Sequence, residues 1–378
     1  LRVFWKEGLR METGDGAFRF KAGGRLMYDW TWVNEDNMLN ANVGNQKNGS
    51  ETRRARFYIS GLLYNTIDFK LQFDFAGGDA DLKDAYIGLQ DFPLGKIRAG
   101  HFKEPFGLEE STSSKYITFV ERSLPMEAFA PSRNAGVMLF DAVCDERATW
   151  AAGVFRDTDD NGDIQEDSGH SVTGRVTALP WYHNAGSSLL HVGAAYSYRN
   201  NTRDSSLGGD AAQFRARPES HLLDRFVYTG SFLSDNVQLV GLEAAWVHGP
   251  LSVQGEYARA KAEINSHAVL DGYYIQASYF LTGEHRKYKT STGAFSRVKP
   301  KANLNTKKNQ WGAWELALRY SNLDLKDSSV NGGELENISA GLNWHLNPNA
   351  RLMCNYIRAD KQDVGEADIA IIRMQVDF

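Results

Sequence analysis

Residues 67–75, IDFKLQFDF, put Ile67, Phe69, Leu71, Phe73 and Phe75 on one face of an extended chain and Asp68, Lys70, Gln72 and Asp74 on the other. Successive side chains of a strand point to opposite faces, so this segment needs an apolar surrounding on one side and a polar one on the other. The alternation recurs along the chain. It is seen in FRFKAGGRLMYDW (18–30), YYIQASYFL (273–281), WELALRYS (314–321), ISAGLNWHL (338–346) and ADIAIIRMQVDF (367–378), which ends on an aromatic residue. Few windows repeat apolar residues at three and four, and no run approaches the roughly 18 apolar residues of a spanning helix. The fold class is all-β.

Alternating strands build soluble sandwiches as well as membrane barrels, and two features choose between them. One face is aromatic and aliphatic while the other carries Arg54, Arg56, Glu243, Glu256, Glu315 and Arg319. A water-filled lumen accommodates those charges, whereas each would cost about 2–4 kcal/mol on a lipid face near the midplane. Tyr28, Trp30, Trp32, Tyr196, Tyr198 and Trp344 fall at strand ends, as an interfacial aromatic belt requires. The pattern therefore predicts a transmembrane antiparallel β-barrel of about sixteen strands, one outer-membrane domain over residues 1–378. Its last strand faces lipid on even positions and closes onto the first. Tight links are expected near 64–65, 91–95, 144–148, 181–187, 248–250 and 347–349. Long ones are expected at 34–50, 104–133, 157–170, 201–236 and 326–336. Connection 283–311 is long where a short inner turn is due, and its basic run VKPKANLNTKK (298–308) is expected in periplasmic water.

Composition narrows the function. A net charge of -5 and the absence of a long basic run argue against nucleic acid as a partner. The two cysteines, Cys144 and Cys354, supply neither a disulfide framework nor a metal spacing. The nine histidines are dispersed, and His101, His191 and His345 read as satisfied polar residues. An outer-membrane lipase would need a serine and a histidine on the lipid-facing rim, which alternation does not place there, so the chain reads as no enzyme and needs no cofactor. The start at Leu1, with no basic or apolar leader, suggests that a signal peptide has been removed.

Alternation turns Arg19, Lys21, Arg25, Arg54, Arg56, Lys70, Lys96, Arg98, Arg175, Arg199, Arg319, Arg351 and Arg373 inward. The inward acids are Asp29, Asp68, Asp74, Asp84, Glu243, Glu256, Glu315 and Asp377. The lumen is thus positive by about five, mostly along the first five strands, and such rings of Arg and Lys select anions. The third outer connection, 104–133, carries its own apolar residues Ile117, Phe119, Leu124, Met126 and Phe129. Folded inward, it would narrow the pore and stand Lys115, Arg122 and Arg133 at the constriction. The candidate pore residues are Arg54, Arg56, Lys70, Arg98, Lys115, Arg122, Arg133, Arg19, Lys21 and Arg25. Separately, DTDDNGDIQEDS (157–168) orders Asp157, Asp159, Asn161 and Asp163 like a calcium loop whose twelfth position, Ser168, lacks the bidentate Glu. Its expected ligand is a weakly held Ca²⁺ in an outer loop.

AGHFKEPFGLEESTSSKYITFVERSLP (99–125), GPLSVQGEYA (249–258), YYIQASYFLTGEHRKY (273–288), GAWELALRYSNLDL (312–325) and GLNWHLNP (341–348) resemble the phosphate-selective porin O and P family over most of the chain. The resemblance implies a sixteen-stranded homotrimeric porin of the bacterial outer membrane, set among lipid and lipopolysaccharide. Its third loop would fold inward, and it would pass phosphate or other small anions. Lys115 of SSK and Arg122 of ERS carry over as pore-lining positions. The mixture of acids among the lumen bases departs from the family's long arginine ladders. Two other functions fit such a barrel. One is a general or solute-specific porin for sugars or carboxylates, in which Tyr58, Tyr86 and Tyr274 would matter more. The other is a non-conducting barrel acting as anchor or receptor.

Overall fold

The computed structural model describes residues 1–159, 161–164, 169–263, 267–327 and 330–378. Sixteen long strands follow the alternation. The first quarter of the wall is β1 (Arg19–Glu35), β2 (Gly49–Leu63), β3 (Ile67–Asp74) and β4 (Asp81–Phe92). Next come β5 (Gly95–Lys103), β6 (Arg133–Val143), β7 (Ala148–Arg156) and β8 (His170–His183). They are followed by β9 (Ser188–Asn200), β10 (Asn236–His248), β11 (Leu251–Glu263) and β12 (His267–Phe280). The last four are β13 (Ala313–Asp327), β14 (Val330–Asn347), β15 (Ala350–Lys361) and β16 (Gly365–Asp377). Each pairs antiparallel with the next, and β16 returns to β1 from Ala367–Glu35 to Asp377–Arg25. Closure leaves no strand edge for hydrocarbon to strand unpaired. A hairpin of Arg2–Trp5 and Leu9–Glu12 adds to the start of β1.

Burial is inverted relative to a water-soluble protein. On β16, Ile372, Met374 and Val376 are exposed while Arg373, Gln375 and Asp377 are buried. Phe378 continues the outer row: its carbonyl accepts from the Gly24 amide at 2.7 Å and its own amide donates to Gly24 at 3.1 Å. The ring needs that glycine. A Cβ there would sit 2.7 Å from the Phe378 ring and 2.6 Å from the Arg56 carbonyl. Gly24→Val should therefore strain the closing seam by about 1–3 kcal/mol, the usual scale of overpacking. A lower unfolding midpoint in heat-modifiability gels would show it, and an unchanged midpoint would contradict it.

The tight links fall where the alternation breaks, at 64–66, 93–94, 144–147, 184–187, 249–250 and 348–349. The long links 36–48, 104–132, 157–169 and 201–235 leave the other end. One expectation needs correction. Residues 326–336 are not a long loop, because β13 and β14 run on and pair Lys326 with Asn331 and Asp327 with Val330. Polar residues there stay in the ladder as the strands rise into water, where both faces can be solvated. The connection 281–312, whose length the alternation leaves unexplained, turns its middle back into the barrel. Arg286 donates to Gln254 at 2.8 Å and lies 3.6 Å over the Phe295 ring, and the Tyr288 hydroxyl meets His191 Nδ1 at 2.7 Å. Lys299, Lys301, Lys307 and Lys308 stay exposed, in keeping with the basic run.

An apolar cluster inside the wall joins residues of β10–β16, such as Leu239, Leu270, Leu323, Ile357 and Ile369, to Leu39, Phe106, Leu124, Phe129, Leu223 and Phe226 of the outer connections. These strands are apolar on both faces toward their outer ends, which strict alternation does not anticipate. This cluster lies on one side of the lumen, and two smaller ones gather Leu179, Leu189, Val247 and Phe295, and Phe102, Met138 and Phe155.

Candidate functional site

Connection 104–132 leaves β5 and is held by side chains of the opposite wall. The Glu256 carboxylate on β11 accepts the amides of Leu108 and Glu109, both at 2.7 Å, and takes the Tyr274 hydroxyl at 2.6 Å. Gly107 adopts φ +69°, and a Cβ there would stand 2.8 Å from that carboxylate, so glycine lets the chain lie against its anchor. Further along, Leu124 N–H donates to Ser321 at 3.0 Å and Val120 N–H to Asn355 at 2.8 Å. Arg351 donates to the Ile117 carbonyl at 2.9 Å, Gln375 to that of Lys115 at 3.1 Å, and Arg25 to the Ser114 hydroxyl at 2.7 Å. A segment bonded to the buried faces of β11, β13, β15, β16 and β1 runs inside the wall.

Ion clusters pin the same loop. Arg373, fully buried, bonds both Asp29 oxygens at 2.6 Å and Glu121 at 2.6 Å, and also donates to the Val120 carbonyl. Arg319 reaches Glu219 at 2.5 Å and Glu109 at 3.4 Å. From the other end, the amide of Phe295 in connection 281–312 donates to Thr112 at 3.3 Å. The two inserted segments therefore touch.

What remains open is a cavity of about 800 Å³ between the loop and β1–β9. Twelve basic side chains line it against five carboxylates. Of the candidate pore residues, Arg25, Arg54, Arg56, Lys70, Arg98, Arg122 and Arg133 all lie on its lining. A second cavity of about 250 Å³, lined by Arg217 and His221 of connection 201–235, shares Arg53, Glu110, Arg122 and Ser132 with it and opens it toward the outer end. The remaining candidates lie elsewhere. Arg19 is exposed beside Asn65 at the inner rim, Lys21 sits 5.4 Å from the Tyr58 ring, and Lys115 lies 3.5 Å from Asp377 in a small adjoining space.

Most cavity charges come as pairs. Asp84 takes Lys70 at 2.5 Å and Arg133 at 2.9 Å; Asp74 takes Arg56 at 2.6 Å; Glu110 takes Arg122 at 2.7 Å and Lys103 at 2.6 Å. Glu121 takes Arg53 at 2.8 Å and Arg54 at 3.4 Å. Among the described residues, Arg25 and Arg98 meet no carboxylate. Arg98 is instead boxed by the rings of Tyr86, Phe140 and Phe102 at 4.1, 4.9 and 5.5 Å, which leave its N–H edge for a ligand.

Five lining bases were not among the candidates. Arg175 and Arg199 face inward by alternation but were not counted as pore residues, and Lys103 continues the inward row of His101. Arg53 and Lys83 sit at bulges, where Met27 and Tyr28 pair with Arg54 and Thr52, and Gln72 and Phe73 with Asp84 and Leu82. A bulge turns two neighbours to one face. The signal was present in the adjacent pair Arg53-Arg54, since strict alternation would send one charge into lipid.

In the proposed calcium loop, Asp157 is held by Arg199 at 2.6 Å and Asp159 accepts the amides of Asn161 and Asp163, both at 2.9 Å. No cluster of metal-ligating side chains forms among the described residues. Asp160 and 165–168, which complete the motif, lie outside them.

Burial lowers the Lys115 ammonium to about 8, with Asp377 opposing and Arg25, Arg297 and Lys21 adding to the fall. The lysine is charged below that value and neutral above it. Raising the pH from 7 to 9 should therefore weaken chloride preference in a salt gradient, and Lys115→Arg should flatten the profile. A Lys115→Arg channel with the parent's pH dependence would refute the assignment.

A family model for phosphate-selective porins O and P matches residues 20–378. Porin O of Pseudomonas aeruginosa is 31% identical over 398 aligned positions, covering 94% of this chain and 86% of that protein. Among solved structures, an anion-selective porin from Comamonas acidovorans superposes with a TM-score of 0.61 at 13% identity, over 96% of this chain and 100% of that one. OmpT of Vibrio cholerae in its trimer form gives 0.55 at 11% identity, over 96% and 100%.

Proposed function

Because this chain belongs to the phosphate-selective porin O and P family, an outer-membrane porin family, we propose that it is a passive diffusion channel passing phosphate and other small anions. The observation that carries this reading is the eccentric cavity in which twelve bases outnumber five carboxylates beside an inserted loop. An anion losing water there gains Coulomb attraction from Arg56, Lys70, Arg98, Arg122 and Arg133, and forked hydrogen bonds from the arginines. Each salt-bridged base keeps donors to spare, so ions meet several weak sites and can leave again. Family and fold point to a channel rather than an enzyme. The assembly we propose is a homotrimer, the form in which OmpT of Vibrio cholerae was solved. A solute-specific sugar porin is less well supported, since Tyr58 and Tyr274 are buried and Tyr86 is engaged with Arg98. In planar bilayers under a tenfold KCl gradient the reversal potential should lie on the chloride side; a value on the potassium side would overturn the reading.

A further inference from the structure

Gln72 on β3 is 1% exposed, lines the cavity, and has no hydrogen-bond partner for either amide atom among the described residues. A buried amide left unmatched is destabilising and is rare in folded proteins. Its surroundings explain what it could do. Across the ladder it faces Tyr58 on β2 and Asp84 on β4. Its neighbours on the same face, Lys70 and Asp74, belong to two ion pairs.

The carboxylate oxygens of both pairs are all engaged. The Asp84 oxygens go to Lys70 and Arg133. One Asp74 oxygen takes Arg56 at 2.6 Å and the other takes the amides of Ala55 and Ala76 at 2.9 and 3.3 Å. The bases are not used up: a lysine has three donors and an arginine five, and these show one bond each. An anion held between Lys70 and Arg56 would thus meet cationic donors in excess and, in Gln72 Oε1, an uncommitted acceptor.

We infer that Gln72 determines which oxyanions this channel favours, by accepting a hydrogen bond from the hydroxyl of a protonated tetrahedral oxyanion such as hydrogen phosphate or hydrogen arsenate. Sulfate has the same shape and charge as hydrogen phosphate but no hydroxyl, so its lone pairs would face the amide oxygen and repel it. The inference rests on the anion-channel reading and adds to it the protonation state of the favoured ion.

The test is the permeability ratio of phosphate to sulfate, from bi-ionic reversal potentials of the full chain in planar bilayers at pH 8, where phosphate is mainly the dianion. The parent should favour phosphate by about tenfold, the scale of one hydrogen bond to an ion. Gln72→Leu keeps the forked shape without an acceptor and should bring the ratio near one while leaving chloride-over-potassium preference in place. Gln72→Glu retains an acceptor and should keep phosphate ahead of sulfate. A parent ratio near one, or a Gln72→Leu ratio equal to the parent's, would overturn the role of Gln72 while leaving an anion channel standing. Loss of anion preference in the parent would remove both.

Discussion

An Arg373→Met channel should conduct several-fold more than the parent and discriminate less between anions and cations. Arg373 of β16 binds Asp29 of β1 and, at the same time, Glu121 and the Val120 carbonyl of the inserted loop. Methionine keeps most of the length and removes every donor, leaving two carboxylates buried without their shared cation. Removing one partner of a buried ion cluster typically costs about 3–5 kcal/mol, so the stretch at Val120 and Glu121 loses its bond to β16 while Glu256, Arg351 and Gln375 still hold the rest of the loop. The loop should loosen about Val120 and Glu121 and widen the passage there, with Glu121 left to Arg53 and Arg54. Single-channel conductance in molar KCl measures this directly, and a value within experimental scatter of the parent's would show that the loop is held elsewhere.

The second large effect concerns Arg25 and Arg98. Because neither is neutralised by a carboxylate among the described residues, their full charges act on a passing ion. At ~6 Å in water each contributes ~0.7 kcal/mol to an anion, so together they account for about tenfold in selectivity. The double variant Arg25→Gln/Arg98→Gln should lose about that factor in the chloride-to-potassium permeability ratio. Neutralising Arg133, whose charge is already opposed by Asp84, should do less. An equal loss in both variants would mean that pairing does not set a base's contribution.

The barrel was legible because its alternation is a direct record of two solvents. Arg373 between Ile372 and Met374 fixes strand, face and register at once, and closure onto β1 follows from the lack of any other place for the last edge. The basic wall was legible for the same reason, so seven of ten candidate pore residues meet at one cavity. Where two neighbours share a face, the record fails: the bulges at Arg53 and Lys83 break the period of two. It is also silent on the course of one connection. The inward turn of 281–312 rests on contacts such as Arg286 over Phe295 and Tyr288 with His191, which join residues remote in sequence and have no periodic signature. Glu256 read as one more lumen acid, and only the fold shows it gripping the chain at Gly107. Asp157 is held by Arg199, some forty residues away, a pairing that the period of two does not announce.

The one-sided filling of the cylinder has a mechanical consequence. Apolar side chains packed against β10–β16 stiffen that half independently of ionic strength, while the half formed by β1–β9 holds smaller apolar clusters and leans more on charge pairs that salt can screen. Heat and brine should therefore loosen the molecule along one flank first, and amides of β3–β7 should exchange their hydrogens before those of β12–β15.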